Sequence, residues 1–258
     1  MKKLLLLLCA CVVMASGVLI AEPRYRHLAL SELLRRVPAL RETLTKPAEP
    51  VEVALKAAGF ELGAPTVIRI FKNEALLEVW MKRGETFALF KSYPICRFSG
   101  DLGPKIREGD REAPEGYYFV SAKQLLPTSK HHRAFNTGFP NAYDRALGRT
   151  GTVLMIHGDC ASIGCYAMTD PAIDEIYKIV EASITTNEEP VALHLYPFRM
   201  TDKNLAKYKD HQWADYWNNL AEGYRLFEQA RLPPTVQVCE GRYHFGKDAA
   251  NCEPVMAW

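Results

Sequence analysis

The chain has 258 residues, 48% of them hydrophobic, and 32 Lys and Arg stand against 30 Asp and Glu for a formal net charge of +2. A composition this apolar excludes a disordered chain and suffices for one large core with a small appendage. Lys and Arg form no clustered excess, which argues against a nucleic-acid partner, and the mixed run Arg35, Arg36, Arg41 and Glu42 reads as the solvated face of a helix.

In chain order, Met1-Lys2-Lys3 followed by the apolar run Leu4 to Ala21 has the charged start and hydrophobic stretch of a secretory signal over residues 1–21, with small residues for cleavage at Gly17 or Ala21. Removing it takes Lys2 and Lys3 and brings the formal charge from +2 to 0. About 18 apolar residues is also the lower edge of a bilayer span, so retention as an N-terminal membrane anchor stays open. Residues 22–64 read as a helical segment and linker: Leu28, Leu30, Leu33, Leu34 and Val37 recur near helical spacing with Ser31 able to cap, and Lys46-Pro47-Ala48-Glu49-Pro50 breaks the pattern.

From Thr66 the period changes to that of strands. Val67–Phe71, Ala75–Met81 and Thr86–Phe90, with a turn at Lys82-Arg83-Gly84-Glu85, predict a β-meander. Gly100 to Arg149 is rich in Gly, Pro and polar residues around one strand, Tyr117–Val120, and so long a segment predicts the wall of a cleft. Thr152–Ile156 predicts a strand. Asp170-Pro171 predicts a helix start with Asp170 as N-cap, and Ile173, Ile176, Tyr177, Val180 and Ile184 form its apolar face. Val191–Leu195 returns to strand. The segment 201–258 reads as a helical extension, with Asp202 to Arg231 in one or two helices whose aromatic stripe from Trp213 to Phe227 is core packing.

Five of the seven cysteines lie beyond the signal, an odd number that leaves at least one thiol unpaired. Cys239 and Cys252 flank a polar stretch and are expected to pair, stapling the tail. Cys96 is either a spare thiol in a buried strand or the partner of Cys160. His131 and His132 fall in the polar cleft segment, and His194 alternates within a strand.

Chemistry concentrates at His157-Gly158-Asp159-Cys160-Ala161-Ser162-Ile163-Gly164-Cys165, at the end of the predicted strand. A cysteine attacks a carbonyl as its thiolate, and an adjacent imidazole can take the proton. Gly164 can adopt a positive φ and bring backbone N–H groups beside a substrate, and the Ser162 hydroxyl can pin the turn. Two structural readings compete: a Cys160–Cys165 disulfide, or His157, Cys160 and Cys165 as metal ligands. The second lacks the fourth ligand a structural zinc site needs.

His157-Gly158 followed by Ser162-x-Gly164-Cys165 resembles the signature of the YkuD-type L,D-transpeptidase catalytic domain. Ala113-Pro114-Glu115-Gly116-Tyr117-Tyr118-Phe119-Val120, Tyr93-Pro94-Ile95 and Ser99-Gly100 are similar to further segments of that family. Gly103-Pro104-Lys105, Phe139-Pro140-Asn141-Ala142-Tyr143-Asp144 and Pro197-Phe198-Arg199-Met200 extend the likeness, toward its YafK-like branch, across roughly Pro65 to Phe227. The chain departs from the pattern in a shorter His157–Ser162 spacer, in Ile163 where a second His usually sits, and in Tyr166-Ala167-Met168 where a polar Arg or Asn often follows the cysteine.

The resemblance implies an α+β fold: a β-rich catalytic domain of mixed sheets or a β-sandwich over residues 65–200, with flanking helices and a helical C-terminal segment. It implies a periplasmic enzyme of cell-wall biogenesis and cell shape, with Cys165 as nucleophile, His157 as proton donor and acceptor, and Gly158, Ser162 and Gly164 shaping the site. Its partners would be peptidoglycan stem peptides, and it would need no metal and no cofactor. Cys165 would expel D-alanine from a stem peptide and form a thioester that an amine resolves. With water as the acceptor the same residues make an amidase that releases a murein-attached peptide or lipoprotein. A murein-binding protein with a decayed site is the reading from another class.

Overall fold

The computed structural model describes residues 50–246 and 252–255. The secretory signal or membrane anchor and the helix expected near Leu28–Val37 lie outside them. Among the described residues no helix is long and apolar enough to cross a membrane.

The chain opens with α1 (Val51–Ala57) and runs into β1 (Thr66–Phe71), β2 (Leu76–Arg83) and β3 (Thr86–Pro94). These are the antiparallel meander expected from the three runs and the turn between the last two. All six residues of β1 are buried, as in a strand covered on both faces. A parallel pairing with β10 (Val191–Tyr196) explains this, and β5 (Gly116–Val120) closes the sheet in the order β3-β2-β1-β10-β5.

A second sheet, in the order β4-β9-β8-β7-β6, is built from β4 (Arg97–Phe98), β6 (Leu125–Ser129), β7 (His132–Asn136), β8 (Met155–His157) and β9 (Tyr166–Ala167). The stretch from Gly100 to Arg149 is thus more regular than its composition predicts. It holds the β6–β7 hairpin and the short helix α2 (Ala142–Ala146) besides β5. The predicted strand at 152–156 shrinks to β8, because Val153 takes φ +53, a conformation a β-branched residue rarely adopts and no strand contains.

Helix α3 (Asp170–Asn187) fills the space between the sheets. Ile173, Ile176, Ile179, Val180 and Ile184 meet Ile68, Ile70, Leu193 and Leu195 of the first sheet and Phe135, Ile156 and Tyr166 of the second. Each such side chain contributes about 1.5–3 kcal/mol on burial. The helix starts one residue earlier than expected: Thr169, not Asp170, is the N-cap, and the Asp170 carboxylate accepts the Asp159 N–H at 2.7 Å instead.

The C-terminal part is not only helical. After α4 (Asp202–Lys207) and α5 (Ala214–Ala230) it forms a three-stranded sheet from β11 (Val236–Cys239), β12 (Arg242–Phe245) and β13 (Glu253–Pro254). The aromatic stripe of α5 packs, as its pattern predicts, with Tyr216, Trp217 and Tyr224 against Phe71, Tyr117 and Tyr196 on the outer face of the first sheet. A disulfide joins Cys239 to Cys252.

Candidate functional site

Strands β8 and β9 run parallel, with Ile156 opposite Tyr166 and His157 opposite Ala167. Cys165, one residue before β9, therefore falls level with Met155. Side chains alternate along strands, so Ile156 and Tyr166 point into the core while Met155, His157 and Cys165 share the other face. The register makes Cys165 and His157 diagonal neighbours, about 7 Å apart at Cβ in ordinary sheet geometry. No hydrogen bond joins the two side chains.

Cys165 is a free thiol, 8% exposed, packed against Ala134, Met155 and Leu126. Its Sγ accepts the Met155 N–H at 3.4 Å and faces the Val153 carbonyl at 3.8 Å. Burial pushes the thiol above its usual range, against the smaller pull of the Met155 N–H and the Lys105 charge. Lys105 is buried and bonded to Asp110 Oδ1 at 2.6 Å and the Arg107 carbonyl at 3.0 Å.

His157 is 1% exposed. Its Nδ1 lies 2.6 Å from the Gly158 carbonyl, which can only accept, so Nδ1 carries the proton and Nε2 keeps its lone pair. Burial holds the ring below the usual histidine value, partly offset by that hydrogen bond. Both groups are thus driven toward their neutral forms. Gly158 admits the β6–β7 turn: its N–H donates to the carbonyls of His131 and Arg133 at 3.1 and 3.2 Å, and a Cβ there would meet Asp170 Oδ1 at 2.7 Å and His132 Cβ at 3.0 Å.

Ser162 pins the turn before the cysteine. Its hydroxyl accepts the Cys165 N–H at 3.0 Å and donates to the Cys165 carbonyl at 2.6 Å. Gly164 takes φ +98, and its N–H donates to Ser99 Oγ. The N–H groups of Gly164 and Cys165, near which an oxyanion site is expected, are therefore bonded to hydroxyls, Ser99 beside β4 and Ser162 within the turn. The sequence marks Ser99 only through the Ser99-Gly100 resemblance, because its bond partner lies 65 residues away.

Cys160 forms a disulfide with Cys96. This removes both competing structural readings, since Cys160 can neither bridge Cys165 nor ligate a metal, and among the described residues no group of three or more His, Cys, Asp or Glu could hold one. Asp159 and Cys160 take φ +67 and +51, left-handed conformations that cost on the order of 1–3 kcal/mol each. The disulfide, the Asp159 N–H bond to Asp170 and the Cys160 N–H bond to the Met168 carbonyl hold that turn in place.

Beside the thiol's apolar neighbours a cavity of about 260 Å³ is lined by Lys123, Gln124, Leu126 and Asn136. The larger cavity, about 480 Å³ and lined by Val67, Phe87, Phe119 and Val236 among others, lies on the outer face of the first sheet, away from the thiol. Proximity to the reactive groups, not size, marks the site.

These features define a class: an α+β protein with a free thiol and a tautomer-fixed imidazole on one face of a parallel strand pair. Residues 65–193 match the family described as YkuD, L,D-transpeptidase catalytic domain. The chain is 51% identical over 190 residues to the protein named "Putative L,D-transpeptidase YafK" of Escherichia coli (strain K12), covering 74% of this chain and 77% of that one, and equally to its namesake in Escherichia coli O157:H7. Among solved structures it is similar to the helical cell shape determining protein Pgp2 from Campylobacter jejuni (18% identity, TM-score 0.43, 69% of this chain and 64% of that chain) and to Bdellovibrio bacteriovorus Bd1075 (15%, 0.39, 74% and 91%). Likeness at that level says nothing about activity. The chain belongs to the YkuD L,D-transpeptidase catalytic domain family and is an enzyme of the L,D-transpeptidase type.

Proposed function

We propose that the protein is an exported cysteine enzyme that remodels peptidoglycan through a thioester on Cys165. The observation that carries this reading is the shared face of His157 and Cys165, with the imidazole tautomer fixed so that Nε2 can accept a proton. Because burial disfavours charge on both groups, the thiol proton moves to Nε2 as sulfur attacks the carbonyl of a stem peptide, rather than from a standing ion pair. The C–N bond to D-alanine breaks, and His157 hands its proton to the departing amine. An amine of a second stem peptide then displaces the sulfur.

Export is supported by the apolar segment at residues 4–21 and by two disulfides, which belong to oxidising compartments. A second acceptor, water, is favoured by one observation: Tyr166, Ala167 and Met168 are fully buried, and the one polar side-chain group among them, the Tyr166 hydroxyl, already donates to the Pro114 carbonyl, so none is left to hold an amine.

Labelling with a carbapenem followed by intact-mass measurement tests the nucleophile. Wild type is expected to gain one adduct that Cys165→Ala lacks, and equal labelling of both would overturn the assignment. Incubation with defined muropeptides, with and without an amine acceptor, assigns the second step. Cross-linked products support transfer, whereas shortened, uncross-linked products alone make the enzyme an amidase.

A further inference from the structure

Position 163 supplies an exposed isoleucine, 79% accessible, and no titratable group. A second imidazole nevertheless reaches the site from another element. His131, in the β6–β7 turn, lies with its ring centroid 4.8 Å from that of His157, the planes inclined by 36°. The turn is clamped to the residue after the base, since the Gly158 N–H donates to both His131 and Arg133 carbonyls, and the His131 N–H donates to Ser129 Oγ at 3.0 Å. His131 Nδ1 pairs with Asp159 Oδ2 at 3.0 Å, and Asp159 sits in the left-handed turn secured by the Cys96–Cys160 disulfide and by Asp170.

We propose that His131, oriented by Asp159, is a positioning residue that holds the His157 ring in plane and keeps it uncharged until the thiol delivers its proton. The inference rests on His157 acting as the base. A positive charge on His131 opposes a second one on His157, and Asp159 acts in the opposite direction. The other charges around the base are already committed: His132 and Arg133 both meet Asp174 Oδ1 of α3 at 2.8 Å, and the Asp170 carboxylate holds the Asp159 N–H. On the β9 side Ala167 is uncharged, and Lys105 acts on Cys165. His131 is therefore the second imidazole placed to tune the base, its ring tilted by 36° against that of His157.

Two variants separate the ring from the charge. His131→Phe keeps an aromatic ring and removes the titratable nitrogen; His131→Ala removes both. In ¹³C-histidine NMR titrations, with the His157 resonance identified by its loss in His157→Gln, both variants are expected to raise the His157 midpoint. With muropeptide substrate, His131→Phe is expected to keep plateau kcat within about threefold, while His131→Ala lowers it about tenfold with KM little changed. A His157 midpoint in His131→Phe equal to that of wild type overturns the electrostatic half, and a wild-type plateau kcat in His131→Ala overturns the positioning half. The titration does not depend on turnover, so a shifted midpoint in a protein inactive toward muropeptides would support the coupling while refuting the proposed function.

Discussion

Two imidazoles in this protein are buried to nearly the same degree, His157 at 1% and His194 at 2% exposed, and burial lowers the proton affinity of both. Their surroundings differ. His194 sits on the outer face of the first sheet, edge-on to Tyr117, Tyr196 and Phe227, with Nδ1 unpartnered and the buried Arg69 guanidinium nearby. His157 stands at a strand end, its Nδ1 bonded to a carbonyl and its Nε2 free on the face it shares with a thiol. Burial alone makes a histidine neutral. A fixed tautomer and a neighbouring thiol are what a proton acceptor needs, and only His157 has both.

The strongest way to break this comparison is to exchange the losses. His157→Gln is expected to lower kcat/KM by about 10³-fold, within the usual span for a general base, with little change in Tm. His194→Leu should leave kcat of the folded fraction near that of wild type and cost about 1–3 kcal/mol in urea unfolding through altered packing. A reversed pattern would show that the wrong imidazole had been assigned to chemistry.

Ser162→Ala tests the turn that presents the thiol. Losing two hydrogen bonds within it should cost about 1–2 kcal/mol of stability and lower the carbapenem labelling rate about tenfold. Unchanged labelling kinetics would mean that the turn is held without the serine.

The smallest effect sharpens the comparison through pH. On the proposed mechanism neutral His157 and protonated Cys165 are both needed, and burial moves their values apart, so kcat/KM should be flat from about pH 7 to 8.5. An acid limb above 6.5, the ordinary histidine value, would contradict this. For stability the sign follows from His194, whose folded value is pushed down to about 3 from an ordinary 6.5. In that window the unfolded chain binds a proton that the native state refuses, so stability is full above 6.5 and falls as pH drops toward 3. His194→Leu should flatten that slope relative to wild type, and an identical slope would remove His194 as its source.

Much of this could be read along the chain. The apolar run in Val67–Phe71, the helical spacing from Ile173 to Ile184 and the aromatic stripe of α5 each report a local pattern that burial then satisfies. The cluster from His157 to Cys165 was legible for the same reason: nine positions hold the imidazole, the thiol and the serine that shapes the turn between them. The β6–β7 hairpin was not, because its strands are short and its turn, Lys130-His131, carries neither Asn-Gly nor Asp-Gly.

Only the tertiary structure decided how that cluster is furnished. It paired Cys96 with Cys160, occupied the Gly164 N–H with Ser99, and set His131 against His157. It also buried both His157 and Cys165, which disfavours charge on each. Those outcomes depend on elements far apart in the chain that meet only when the second sheet assembles, and on the low dielectric their meeting creates, whereas residue type and spacing encode only what neighbours along the chain can do.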